Sequence, residues 1–292
     1  MSYRFIQAEK AHDPVGVLCQ ILAVARSGFY AGCRRPTSAR VRQNQGLGTQ
    51  IRACYQASRG RYGSPRIHQE LRAQGFRVGR HRVARLMRLH NIRSVSRRRV
   101  WRARAGTCPE VTAANTLRRE FAATRPNEKW AGDITYVPTR QGWLYVAVLM
   151  DLYSRRIVGW AMGEQMTTTL TLRALDMALQ QRPVSVGLLH HSDRGCQYMA
   201  TLYQQRLIAR GIRCSLSRPG NCWDNAVGES VFATRKTELF HGGQLLTHEQ
   251  ARTEIVAYLE GCYNRARRHS TVGYLSPAEF ERRAAYSTTG VH

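Results

Sequence analysis

Apolar residues recur along this chain at two different spacings, and the change of period divides it. In the first third they repeat every three to four positions, as on one face of a helix. Val17, Leu18, Ile21 and Leu22 follow Asp13-Pro14, which predicts Asp13 as N-cap and Pro14 as first helical residue. A short turn then leads to Ser27-Gly28-Phe29-Tyr30, the order of a small helix-turn-helix. A second helical pair is sharper. Ser64-Pro65 opens a helix to residue 74, and Gly75 stops it. The next helix spans 80–91, with Val83, Leu86 and Met87 as its apolar stripe. Residues 93–128 show no sustained period and read as a linker.

From residue 128 the pattern changes. Residues 130–137, 143–152 and 156–162 read as strands with short connections, hence an antiparallel meander. A helix at 167–181, a buried strand at 184–191, a helix at 200–210 and a strand at 212–217 follow. Helices at 225–240 and 247–267 complete the series. Three strands, then helix, strand, helix, strand and helices, is the order of a ribonuclease-H-like α/β fold.

Charge sharpens the division. The 292 residues carry 45 basic and 19 acidic side chains, a net +26. Lys10, Lys129 and Lys236 are the only lysines, so 42 of the 45 are arginine, the better bidentate partner for phosphate. Residues 1–106 hold 23 basic and 3 acidic groups, a net +20, which points to a nucleic-acid partner. Arg80, Arg82, Arg85 and Arg88, off the apolar stripe of the 80–91 helix, are the candidate DNA contacts. The expected organisation is a small helical segment at 1–45, a basic helix-turn-helix domain at 46–106, a linker at 107–125 and an α/β unit with C-terminal helices at 126–292.

Other classes fall away. No apolar run approaches the roughly 20 residues needed to span a bilayer, and no basic amphipathic helix with an aromatic face suggests a membrane surface. The N-terminus lacks a secretory h-region, so a bacterial cytoplasmic, nucleoid-associated protein is expected. The eight cysteines form no C-x-x-C pair and read as free thiols. His190, His191 and Cys196 lack the second Cys/His pair of a zinc finger.

Three carboxylates stand where α/β folds place chemistry. Asp133 lies inside the first strand, an expensive place for an unpaired charge. Asp193 closely follows the apolar strand, and Glu229 sits one turn into the helix opening at Asp224-Asn225-Ala226. Gathered carboxylates repel and call for a cation, and an all-oxygen donor set suits Mg²⁺ or Mn²⁺. Two such ions can activate an attacking oxygen and stabilise a leaving one.

Thirty-five residues, 194 to 228, separate Asp193 from Glu229. With this spacing the chain resembles the D,D-35-E transposase and retroviral-integrase superfamily, and within it the insertion-sequence transposases encoded by a second reading frame. The resemblance rests on Trp130-Ala131-Gly132-Asp133-Ile134-Thr135-Tyr136, on the block from Met150-Asp151 to Trp160, and on His190-His191-Ser192-Asp193-Arg194-Gly195-Cys196-Gln197-Tyr198. It continues through Asp224-Asn225-Ala226-Val227-Gly228-Glu229-Ser230, Tyr263-Asn264, Arg268-His269-Ser270 and Gly273 to Phe280. Upstream it reaches Tyr62-Gly63-Ser64-Pro65-Arg66-Ile67 and Arg82-Val83-Ala84-Arg85-Leu86-Met87, so it covers nearly the whole chain.

The resemblance implies an integrase catalytic core with a mixed five-stranded sheet, preceded by an all-α helix-turn-helix region. Asp133, Asp193 and Glu229 would be the catalytic, metal-binding triad. Lys236, seven residues after Glu229 and on the same helix face, would contact the transposon end. Asp151 matches a position outside the triad and reads as structural. Gln197 and Asn225 could orient phosphate or water. The implied activity is Mg²⁺-dependent 3′-end cleavage and strand transfer of an insertion sequence into target DNA. Implied partners are the element's terminal repeats, target DNA, further copies of the chain, and an upstream-frame product or a fusion with it. Arg235 and Gly79 depart from the family's usual residues, and the zinc domain of retroviral integrases has no match. Alternatives are a domesticated, catalytically silent DNA-binding regulator and a ribonuclease-H-like nuclease. The intact triad opposes the first, and the basic N-terminal half opposes the second.

Overall fold

The computed structural model describes residues 2–34, 36, 38–94, 115–184, 186–218 and 245–289. The chain begins with three short helices, α1 (Ser2–Glu9), α2 (Val15–Ile21) and α3 (Arg26–Arg34). Their core is Ile6, Leu18, Cys19 and Phe29. Pro14, not Asp13, caps α2 in extended backbone at ψ 130°, because a proline ring presets φ but leaves ψ open.

A longer helix, α4 (Ala39–Ala57), starts at Ser38, whose hydroxyl accepts from the Val41 N–H. It runs unbroken through the division expected at 45/46. Its second half packs on α5 (Ser64–Ala73) and α6 (Arg80–Leu89) through Leu47, Ile51, Cys54, Ile67, Leu71, Val83, Leu86 and Met87. The sequence pattern concealed α4 because Gly46 and Gly48 interrupt its stripe. Gly48 has a packing reason: a Cβ there would lie 2.6 Å from Nε2 of His90. Gly75, at φ +88°, ends the α5 turn as expected.

The α/β unit is one five-stranded sheet in the order β3-β2-β1-β4-β5. Strands β1 (Lys129–Thr139), β2 (Gly142–Asp151) and β3 (Ile157–Gly163) form the antiparallel meander. Strands β4 (Leu189–Ser192) and β5 (Arg213–Leu216) join parallel beyond β1. Alternation along the strands feeds two cores. Trp130, Ala147, Leu149 and Val158 face α7 (Thr168–Gln181) and α9 (Thr201–Ile208). Leu144, Val146, Val148 and Ile157 face the helix His248–Val256 and the π-helical continuation Ala257–Tyr263. That π-turn was expected as regular helix to 267.

Two further expectations change. Strand β4 begins at Leu189 rather than at 184, because Gly187 takes φ +95° and breaks the extended backbone, leaving Val186 exposed. The end of the expected linker is part of the core. Leu117 is buried with Ala131, Leu152 and Leu189, and the backbone N–H groups of Thr116 and Leu117 donate to the Ser215 hydroxyl at 3.1 Å. Lys129 Nζ donates to the carbonyls of Glu120 and Ala122. An isolated Leu117, with Phe121 packed beside it, carries no period, so burial here was invisible to pattern. No single helix among the described residues is long and apolar enough to cross a membrane.

Candidate active site

Asp133 lies at the middle of the central strand β1, opposite Val148 of β2. On its other side β1 pairs in parallel with β4, as Trp130 with His190 and Ala131 with His191, a constant offset of 60 residues. Asp133 and Asp193 each lie two positions beyond the last paired residues, Ala131 and His191. The two aspartates thus emerge from neighbouring strands, one within a strand and one just past a strand's carboxyl end, where open α/β sheets present ligand groups.

Each carboxylate is oriented locally. Asp133 Oδ1 accepts the N–H of Ile134 at 2.8 Å. Asp193 Oδ1 accepts the N–H of Gly195 at 3.0 Å. Solvent reaches Asp193, yet the protein around it withdraws enough water to raise its carboxyl above the ordinary range, and the Gly195 N–H offsets only part of this. Both carboxylates act on Tyr198 of the short helix α8 (Cys196–Met199). Its phenol is raised first by burial, then by Tyr203, then by the charges of Asp133 and Asp193. The phenol is therefore a neutral wall against which both acids stand.

Two glycines make that wall close. A Cβ at Gly132 would lie 2.9 Å from Nε2 of His190 and 3.3 Å from the Tyr198 ring. A Cβ at Gly195 would lie 3.0 Å from Oδ1 of Asp193.

The histidines beside the site are tied into the packing. His190 is fully buried, shares a 3.0 Å hydrogen bond with the Tyr203 hydroxyl, and is pushed down to about 3 by burial and by His191. It stays neutral at working pH. His191 spends both ring nitrogens, on Ser215 at 2.9 Å and Ser217 at 3.2 Å. Gln197 is buried and donates its amide to the Met166 carbonyl at 2.9 Å, and its carbonyl oxygen lies toward Gly195. Asp151 is wholly buried in a different place, at the far end of β2. Among the described residues no three acidic, histidine or cysteine side chains converge as a metal cluster. Glu229, Lys236 and Asn225 lie outside the described residues.

Of the expected DNA-contacting arginines on α6, Arg80, Arg85 and Arg88 are exposed. Arg82 is half-buried and donates twice to Asn44 Oδ1, at 3.0 and 2.8 Å, so it also ties α6 to α4. Sequence reasoning missed Tyr198 as a site wall. Its signal was an aromatic residue five positions after the second aspartate, in a segment too short to show a period.

A mixed sheet carrying two aspartates follows a helix-turn-helix unit, and three family models match the chain. Integrase core domain models match residues 123–222 and 210–277, and an HTH-like domain model matches residues 42–100. The chain is 41% identical over 283 residues to the transposase InsF for insertion sequence IS3A of Escherichia coli strain K12, covering 96% of this chain and 98% of that one. It is also 41% identical over 264 residues to an insertion element IS600 31 kDa protein of Shigella sonnei, covering 90% and 97%. A cryo-EM structure of the simian T-cell lymphotropic virus intasome with a PP2A regulatory subunit aligns with TM-score 0.46 and 14% identity, over 79% of this chain and 74% of that one. The chain belongs to the IS3 family of insertion-sequence transposases, DDE-type polynucleotidyl transferases that carry out transposition.

Proposed function

We propose that this transposase cleaves the 3′ ends of its own element and joins them to target DNA, with Asp133, Asp193 and Glu229 as the catalytic carboxylates. The observation that carries the reading is that Asp133 on β1 and Asp193, just past the end of the parallel neighbour β4, both act on the buried, neutral Tyr198.

The donor chemistry suits hard divalent cations. Among the described residues the nearby imidazoles are buried, His191 bonded to Ser215 and Ser217 and His190 to Tyr203, and the carboxylates of Asp133 and Asp193 supply oxygen donors. Burial raises the carboxyl of Asp193, and a bound cation would favour its ionised form. Asp133, Asp193 and Glu229 would hold two Mg²⁺ or Mn²⁺ ions, which supply Lewis acidity to the attacking and leaving oxygens. The chain's own part is positional. The Ile134 and Gly195 N–H groups fix the two carboxylates, and Tyr198 with His190 closes the floor beneath them. Water and then a DNA 3′-hydroxyl attack phosphorus directly, with no covalent protein intermediate.

Arg80, Arg85 and Arg88 on the open face of α6, and Lys236 near the cut, bind the terminal repeats in this reading. The protein works as a multimer on paired ends, with the upstream-frame product or as a fusion with it.

The test is nicking and strand transfer on DNA carrying the element's own ends. Asp133→Asn, Asp193→Asn and Glu229→Gln should each abolish both reactions in Mg²⁺ while end binding holds or tightens. Wild-type strand transfer by any of the three variants would remove that residue from the triad. Binding without nicking by the wild-type chain or its frameshift fusion would favour a silent DNA-binding regulator.

A further inference from the structure

We propose that α1–α3 are a second helix-turn-helix that reads duplex DNA through the outer face of α3, so that the chain recognises each element end with two modules. This unit precedes the stretch matched by the HTH-like model, which starts at residue 42.

The geometry comes first. Helices α2 and α3 meet at 113° across the four residues 22–25, within the roughly 90–120° and 3–4-residue turn of a helix-turn-helix. The turn is tight. Ala23 takes φ +51°, and the Val24 N–H donates to the Cys19 carbonyl at 2.9 Å. Helix α1 braces the pair from behind. Tyr3 lies on two glycines of α3 one helical turn apart: a Cβ would meet its hydroxyl at 2.6 Å from Gly28 and its ring at 3.2 Å from Gly32. Phe29 fills the core beside them. At 100° per residue, Gly28, Phe29 and Gly32 define the inner face of α3, and Ser27, Tyr30, Ala31 and Arg34 line the opposite one. Those four are all exposed.

Their chemistry selects the occupant. A hydroxyl, a phenol, a methyl and a guanidinium at i, i+3, i+4 and i+7 are groups that read base edges in a major groove. The helix carries no acidic residue, and none occurs in the sequence between Asp13 and Glu70. A face presented to another protein would ordinarily be richer in apolar anchors, and it would not need 56 consecutive positions, 14 to 69, free of carboxylate.

The proposal rests on the chain acting on DNA, and its test needs no cleavage, so its failure is distinct from failure of the triad. Full-length protein is footprinted without divalent metal on a duplex of the genomic sequence at one end of the element. Scrambled duplex is the comparison. Ser27→Ala with Arg34→Ala removes two exposed side chains and should leave thermal melting unchanged. It should erase one block of protection and weaken cognate binding about tenfold, with a much smaller change on scrambled duplex. Arg85→Ala with Arg88→Ala should erase a different block. A Ser27→Ala Arg34→Ala protein that melts normally and footprints like wild type overturns the proposal. Equal weakening on cognate and scrambled duplex also overturns it, because α3 would then touch phosphate alone. If melting falls, Tyr30→Phe, which removes only the phenol hydroxyl, is footprinted in its place with the same two outcomes.

Discussion

Arg268 donates to both carboxylate oxygens of Glu70, Nε to Oε1 at 2.6 Å and Nη2 to Oε2 at 3.0 Å. Glu70 is the sole acidic residue between Asp13 and Glu110, so the one carboxylate of the basic helical domain is spent on a contact with the integrase core. Neighbouring bonds reinforce it. The Arg268 N–H donates to the Tyr62 hydroxyl at 3.0 Å, and Arg66 Nε donates to the Arg268 carbonyl at 2.9 Å. Two sequence blocks that carry no catalytic residue, the one at 62–67 and the one at 263–270, therefore meet each other. The contact ties the helical domain to the unit that carries the aspartates.

Breaking that contact should uncouple reading from cutting. Glu70→Gln weakens a half-buried bidentate pair and should cost about 1–2 kcal/mol of stability. The expected phenotype is end binding near wild type with cleavage reduced severalfold, and Arg268→Ala should match it. Equal loss of binding and cleavage in both variants would show that the pair only supports the fold of α5.

Gly159→Ala should be among the most damaging single-methyl changes in the core. The added Cβ would lie 2.2 Å from the Ala174 carbonyl and 2.8 Å from the Ala178 Cβ, where α7 crosses β3. Both obstacles belong to α7, so the helix must shift. A loss of about 3 kcal/mol or more in urea unfolding is expected, the upper range of overpacking. A loss below about 1 kcal/mol would mean that α7 is free to move on the sheet.

How much of this was legible follows the reach of each residue's signal. Strands β1 to β3 and α7 announced themselves by long runs of one period, and Asp133 stood out as a charge inside such a run. Helix α4 was hidden by the glycines that let His90 approach it. Burial of Leu117 depends on Ser215, almost a hundred residues away, and no local period encodes such a contact. The same holds for Tyr198 beneath the aspartates and for Glu70 with Arg268. Pattern finds elements; pairs distant in sequence emerge only when the sheet is assembled.

Lys236 is proposed to touch the transposon end. One of three lysines in a chain that otherwise uses arginine, it follows Glu229 by seven residues, a spacing that in a regular helix would span about 10.5 Å and return to nearly the same face. Lys236→Ala should lose end-specific binding and cleavage together while melting as wild type does. Lys236→Arg should recover only part, because the guanidinium is larger and planar. Undiminished preference of Lys236→Ala for cognate over scrambled ends would rule out the contact.

Asp151 should imprint a pH dependence on stability. It is fully buried, and its two oxygens accept the N–H groups of Asn127 at 2.9 Å and Tyr153 at 2.8 Å. Burial nevertheless dominates and raises its carboxyl from 3.8 to about 6, with nearby Glu281 adding to the rise and Arg182 opposing it. A folded-state value above the unfolded one means that the folded chain holds this proton longer. The stability it contributes is complete below about pH 3.8 and is lost as pH rises through about 6. Asp151→Asn removes the titration and one of the two acceptors. At pH 4.5 the variant should be the less stable protein, by the roughly 1–3 kcal/mol of an unpaired buried N–H. At pH 7.5 the wild type carries the ionised carboxylate, and the gap should close by about 2 kcal/mol, the linkage expected between those two pH values for a shift of this size. Urea unfolding of both proteins at the two pH values measures this directly, and a gap that stays constant would mean Asp151 keeps an ordinary carboxylate value in the fold.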